Sequence, residues 1–223
     1  IGEVGGKNST LDELDAFMEG YNATLKGLGD NLAGLSKISV QSGTMHGGVV
    51  LPDGSVAEVD IDFDTLESLS RAAREKYGLA GAVQHGASTL PEEAFGRFPE
   101  TGTAEIHLAT AFQNIFFESL YLPEELKARM YAWLDANAHE ERKPDMTDEQ
   151  FYYRARKRAY GPFKEELWGM EHRLRKSLSD ELEDRIDFYL QNLGVDGSQE
   201  MIKEHTKSVD AHPPIPEALK GAL

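Results

Sequence analysis

The sequence predicts a parallel α/β fold followed by a helical extension, and three observations carry that prediction. Strand-like and helix-like segments alternate three times through the first half of the chain. Each strand-like segment runs directly into polar residues, the pattern of parallel folds whose sites gather at the strand C-termini. From about Glu118 onward the apolar spacing is helical alone.

The elements follow in order. Thr10-Leu11-Asp12-Glu13 forms a capping box, in which hydroxyl and carboxylate satisfy reciprocal backbone donors. Leu11, Leu14, Phe17, Met18 and Tyr21 then recur at helical spacing, and Gly27 and Gly29 end the helix. Residues 37–41 read as a short buried strand entering Ser42-Gly43-Thr44-Met45-His46-Gly47-Gly48. Pro52-Asp53-Gly54 is a turn. Beyond it Ala57, Val59, Ile61 and Phe63 alternate with Glu58, Asp60 and Asp62, an extended, half-exposed stretch. Asp64 caps the next helix, with Leu66, Leu69, Ala72 and Ala73 inside and Gly78 just past its end. Residues 79–84 form the second strand, closed by His85-Gly86-Ala87-Ser88. Pro91 opens a helix that runs through Phe98. Residues 103–108 form the third strand, and Ala109-Thr110-Ala111-Phe112 opens a helix. Further helices span 123–138, 148–160, 164–193 and 199–207. The chain divides into an α/β part at 1–117, a helical extension at 118–207 and a Pro-rich terminal arm at 208–223.

Composition narrows the chemistry. The 223 residues contain no cysteine, so any metal must be held by imidazole and oxygen ligands. Lys plus Arg is 23 against 39 Asp plus Glu, a net charge of -16. Such a surface repels phosphodiester backbones and anionic membranes, which excludes nucleic-acid binding as the expected role. No apolar run reaches the roughly 18 residues of a membrane span, and no signal peptide opens the chain. A cytoplasmic location is the expectation. Ile1-Gly2-Glu3-Val4-Gly5-Gly6 reads as the tail of a strand entering a Gly-rich loop, as if cut from something longer.

Two histidines stand out. His46 ends a strand and precedes two glycines, which let backbone N–H groups approach a ligand closely. His85 repeats the design with Gly86, Ala87 and Ser88. Two strand-end His-Gly units in successive βα units suit a divalent-metal site, which needs a third protein ligand and an open position. His107, also at a strand end, could complete three histidines, although Leu108-Ala109-Thr110 lacks the glycines. His139, His172, His205 and His212 fall in the helical region or tail and read as solvated. Against the acidic background, Arg154, Arg156, Lys157 and Arg158 form a basic cluster after Tyr152 and Tyr153. Guanidinium pairs phosphate bidentately, so this cluster could hold a phosphate; the competing reading is a solvated, salt-bridged helix face.

These segments together resemble one family. Ser42-Gly43-Thr44-Met45-His46-Gly47, Gln84-His85-Gly86-Ala87-Ser88 and Ala104-Glu105-Ile106-His107-Leu108-Ala109-Thr110 are similar to the sixth-, seventh- and eighth-strand motifs of class II, metal-dependent fructose-bisphosphate aldolases. They occur in the family's order and spacing over the first half of the chain. The resemblance implies the C-terminal part, about strands 6–8, of a TIM (β/α)8 barrel with a helical C-terminal extension. It implies a lyase of glycolysis that reversibly cleaves fructose 1,6-bisphosphate to dihydroxyacetone phosphate and glyceraldehyde 3-phosphate.

Carried over by position, His46 and His85 would be ligands of zinc or another divalent metal. Gly47, Gly86, Ser88 and Thr110 would hold one substrate phosphate, with His107 beside the substrate and Arg154 and Arg158 toward the second phosphate. The resemblance places the remaining histidine ligand and the proton-moving aspartate upstream of Ile1, and it implies a homodimer or higher homo-oligomer. This chain departs from the family where His107 replaces an asparagine, Ala109 an aspartate, and Lys7 and Asn8 an acidic pair. Those changes bear on which ketose is preferred and on the acid–base residue. The alternatives are an aldolase for another phosphorylated ketose, or a non-catalytic metal- or phosphate-binding assembly subunit.

Overall fold

In the computed structural model, the described residues are 1–2, 6–29, 31–44, 48–57, 60–211 and 214. The capping box forms as the sequence predicts. Thr10 Oγ1 accepts from Glu13 N at 3.2 Å while the Glu13 carboxylate accepts from Thr10 N at 2.9 Å, starting α1 (Leu11–Leu28). Leu14 and Met18 bury, whereas Leu11 and Phe17 stay largely exposed, so the apolar stripe is narrower than its spacing suggests. Gly29 closes the helix; Gly27 lies within it.

Three short strands, β1 (Ile38–Ser39), β2 (Ala82–Gln84) and β3 (Glu105–Ile106), form a parallel sheet in the order β1-β2-β3. Ile38 is in register with Ala82, and Val83 with Glu105. Each strand is shorter than its apolar run. Single bonds continue the ladder past the C-terminal ends of β1 and β3, from Val40 N to Val83 O (3.4 Å) and from His107 N to Gln84 O (2.9 Å). Beyond them, side chains take over the hydrogen bonding and pairing stops.

After β1 the Pro52-Asp53-Gly54 turn forms as predicted, and Phe63, the last residue of the expected extended stretch, instead begins the next helix. Val50 and Val56 form an antiparallel bridge around a tight turn, in which Leu51 N donates to Ser55 O at 2.8 Å. Glu58 and Val59 lie outside the described residues. Asp62, rather than Asp64, caps α2 (Phe63–Tyr77), because its carboxylate is the one within reach of Thr65 N (2.9 Å). Gly78 ends that helix at φ 67°, a left-handed conformation that glycine adopts without a Cβ penalty. The helix expected over 91–98 breaks at Phe95-Gly96 into a 3-10 turn (Glu92–Ala94) and α3 (Arg97–Glu100).

The remaining helices are α4 (Thr110–Glu118), α5 (Glu124–Asn137), α6 (Asp148–Ala155), α7 (Lys164–Trp168), α8 (His172–Asn192) and α9 (Gln199–His205). The expected 148–160 helix tightens into a 3-10 segment from Arg156 to Tyr160, and the expected 164–193 helix is split at Gly169.

Burial concentrates in two clusters. One joins Leu14, Leu66, Leu69, Ala82, Phe95 and Phe98; the other joins Phe117, Met130, Leu134, Phe151 and Leu178. Each fully buried Leu or Phe among them contributes about 1.5–3 kcal/mol. Helix α8 links the two, placing Tyr189 against Phe95 with ring centroids 4.8 Å apart. The start of α6 is tied to the 50–56 turn by Thr147 Oγ1 donating to Pro52 O (2.9 Å) and Gln150 Nε2 to Val50 O (2.8 Å). These bonds lay the extension over the C-terminal ends of the strands. Among the described residues no helix is long and apolar enough to cross a membrane.

Candidate metal and phosphate site

Parallel pairing sends the chain out of all three strands on one side of the sheet. His85 follows β2 directly, and Gly86 at φ 71° turns the backbone into the 3-10 segment Ala87–Thr89. The His85 Nδ1 lies 2.8 Å from Ser39 Oγ of the neighbouring strand. A Nδ1–H donated to that hydroxyl would leave Nε2 as the coordinating atom, the arrangement by which an outer hydrogen bond sets tautomer and ring angle.

Beneath His85 lies a buried polar network. Gln84 is fully buried; its Oε1 accepts from Ser42 Oγ at 2.5 Å and its Nε2 donates to Thr44 Oγ1 at 2.7 Å and to the His85 carbonyl. Thr44 Oγ1 in turn donates to that carbonyl at 2.7 Å. The loop after β1 is thereby stitched to the loop after β2. Gly48 confirms how close the two loops run, since a Cβ there would lie 3.0 Å from Thr89. His46 and Gly47, between these anchors, lie outside the described residues, as does Glu3.

Ser88 Oγ accepts from Ala109 N at 3.0 Å, joining the loops after β2 and β3 while keeping its own hydroxyl proton for a ligand. Thr110 is the first residue of α4, whose N-terminus has no side-chain cap, so its first-turn N–H groups can meet an anion. His107 packs edge-on against His85 with centroids 4.2 Å apart, and its Nε2 is engaged by Glu105. Lys37, and then His107, hold the Glu105 carboxyl below its ordinary range. With that nitrogen occupied, His107 fits poorly as a third ligand.

A cavity of 1040 Å³ opens over these loops. It brings together His85, Gly86, Ser88, His107 and Thr110 with Arg154 from the extension. Arg154 Nε donates to Glu141 at 3.0 Å on the cavity wall. Arg158 does not line the cavity; it pairs with Glu140 and lies 3.7 Å from Glu141.

Sequence reasoning did not select Gln113 or Gln150, and named Tyr153 and Lys157 only beside and within the basic cluster; all four line the cavity. The last three, with Arg154, stand at i, i+3, i+4 and i+7, so helical spacing alone could have found that face. Ser39, Gln84 and Thr44 carried no such signal.

His85, with its anchored Nδ1, fits an imidazole metal ligand. Among the described residues no group of three His, Asp or Glu side chains could hold an ion. A search of curated proteins finds no match. The sequence model of the fructose-bisphosphate aldolase class-II family matches residues 1–166, and the chain belongs to that family.

Proposed function

We propose that this chain is the C-terminal part of a (β/α)8-barrel lyase, residues 1–117, with a helical extension at 118–207. The lyase reversibly cleaves fructose 1,6-bisphosphate to dihydroxyacetone phosphate and glyceraldehyde 3-phosphate. One observation carries the reading. A single cavity joins strand-end His85, Gly86, Ser88 and Thr110 to cationic Arg154 and Lys157, a spacing of donors and cations that suits a ligand anionic at both ends.

His46 and His85 would hold a divalent metal, zinc in this reading, which when bound supplies Lewis-acid polarisation of the ketone. Ser39 sets the angle of the His85 ring. The Gly86 backbone, the Ser88 and Thr110 hydroxyls and the first turn of α4 orient one phosphate, so binding energy is used for positioning. Arg154 and Lys157 receive the other. Phosphate must compete with Glu141 for Arg154, whereas among the described residues Lys157 has no ion-pair partner to displace. Family membership supports the ketose-bisphosphate chemistry. We place the protein in the cytoplasm, in glycolysis, as a homo-oligomer.

The test couples metal analysis to an aldol-cleavage assay. EDTA should abolish cleavage and zinc restore it. His85→Ala should lose bound metal, and Ser39→Ala should weaken metal affinity by about 10–100-fold. Full cleavage in EDTA would refute the metal mechanism. Zinc binding without cleavage of any bisphosphate would favour a binding subunit instead.

A further inference from the structure

The register of the sheet gathers polar side chains on one of its faces. Ser39, Val83 and Glu105 lie side by side across β1, β2 and β3. Successive residues of a strand face opposite ways, so Ile38, Ala82 and Ile106 turn to the apolar core while Ser39 and Glu105 turn to the other face. Two residues beyond Val83 and Glu105 stand His85 and His107, whose rings meet edge-on. Lys37, two residues before Ser39, reaches across the sheet to the Glu105 carboxylate.

Glu105 is therefore held from two sides. One of its oxygens meets Lys37 Nζ and the other meets His107 Nε2. Lys37 is the larger of the influences that keep this carboxyl below its ordinary range and hence ionised. An ionised carboxylate only accepts hydrogen bonds, so the proton of the contact lies on His107 Nε2, and the neutral ring presents Nδ1 as an acceptor. Among the described residues that Nδ1 has no hydrogen-bond partner. The His107 side chain is 48% exposed, and it lines the cavity together with Glu105. A solvent-exposed ion pair such as Lys37–Glu105 contributes little to stability. What it decides is the orientation of the ring. Without it, His107 can turn over about its Cβ–Cγ bond and exchange its two nitrogens.

We infer that Glu105, with Lys37 behind it, is a positioning residue that makes His107 Nδ1 an acceptor for a hydroxyl group of the ligand in the cavity. The site then selects a ligand that carries a hydroxyl donor at this place over one that lacks it. This inference rests on the phosphorylated-ketose part of the proposed function.

The experiment titrates the full chain by calorimetry at about pH 8, above the ordinary imidazole range. The two probes are dihydroxyacetone phosphate and acetol phosphate, which keeps the ketone and the phosphate but lacks the hydroxyl. The unaltered chain should bind the hydroxylated probe about tenfold more tightly, the contribution of one hydrogen bond. Glu105→Leu should bring the two affinities to within about twofold of each other. His107→Phe, which keeps a ring beside His85 but has no nitrogen, should do the same. A purely structural role for Glu105 would weaken both probes alike; a ratio still near tenfold in Glu105→Leu would overturn the inference.

Should Glu105→Leu not fold, nitrogen NMR spectra of the unaltered chain decide the matter. His107 Nδ1 should show the resonance of an unprotonated ring nitrogen. That resonance should move on adding dihydroxyacetone phosphate and stay in place with acetol phosphate. A protonated Nδ1, or equal movement with both probes, would overturn the inference. Equal affinity of the unaltered chain for the two probes removes only the role of Glu105 and His107. Binding of neither probe removes the ketose-phosphate reading as well.

Discussion

Replacing Gln84 with alanine tests the polar network beneath His85 most directly. The substitution deletes three hydrogen bonds, those with Ser42, Thr44 and the His85 carbonyl. A typical buried bond contributes a net ~1 kcal/mol, so the three together account for about 3 kcal/mol. Ser42 is fully buried and would be left with a hydroxyl that has lost its acceptor, adding about 1–2 kcal/mol. Thr44 would keep its own bond to the His85 carbonyl, so that tether would be halved rather than lost. The expected destabilisation is about 4–5 kcal/mol.

Urea unfolding at constant m-value measures it, and a double-mutant cycle with Ser42→Ala isolates the pair. The cycle should show a coupling of about 1–2 kcal/mol, because each partner orphans the other. A Gln84→Ala loss below about 1 kcal/mol, or strictly additive effects, would show that this network does not hold the two loops together.

Two further outcomes follow. Arg154→Met should raise the KM for a bisphosphate substrate by about tenfold with little change in kcat, since a phosphate contact is uniform binding. Arg158→Met, which removes a side chain outside the cavity that pairs with Glu140, should leave both constants nearly unchanged; equal effects of the two substitutions would refute the assignment. Asp62→Ala should cost about 1 kcal/mol at pH 7 by removing the α2 cap. The Asp62 carboxyl is held below its ordinary range by Thr65 N–H, then by the Thr65 hydroxyl, with a smaller contribution from Asn8. A depressed carboxylate stabilises fully above its unfolded value, about pH 4, and loses that contribution as pH falls through the lower folded value. The deficit of Asp62→Ala in urea unfolding should therefore shrink below pH 4, and a constant deficit down to pH 2.5 would refute this role.

Local chemistry was legible along the chain where a few neighbouring residues decide the backbone. The Thr10–Glu13 capping box, the left-handed Gly78 cap and the turn at Gly86 are each set within three or four residues. The order of three strand-end motifs identified the family, because the type and spacing of those residues are properties of the sequence alone. Helical spacing also held the Gln150–Lys157 face, although the charge of the cluster drew in Arg158 beside Arg154.

Tertiary structure decided what depends on partners distant along the chain. Whether an arginine meets the cavity, a surface glutamate or a buried cluster of aromatic rings is set by which elements pack against it. Arg154, Arg158 and Arg156 take those three fates within five residues. Likewise, Gln84 looks like an ordinary polar residue at a strand end until Ser42 and Thr44, some forty positions away, arrive to enclose it. A buried polar group is tolerated only when its partners are in place, and no local pattern announces where those partners come from.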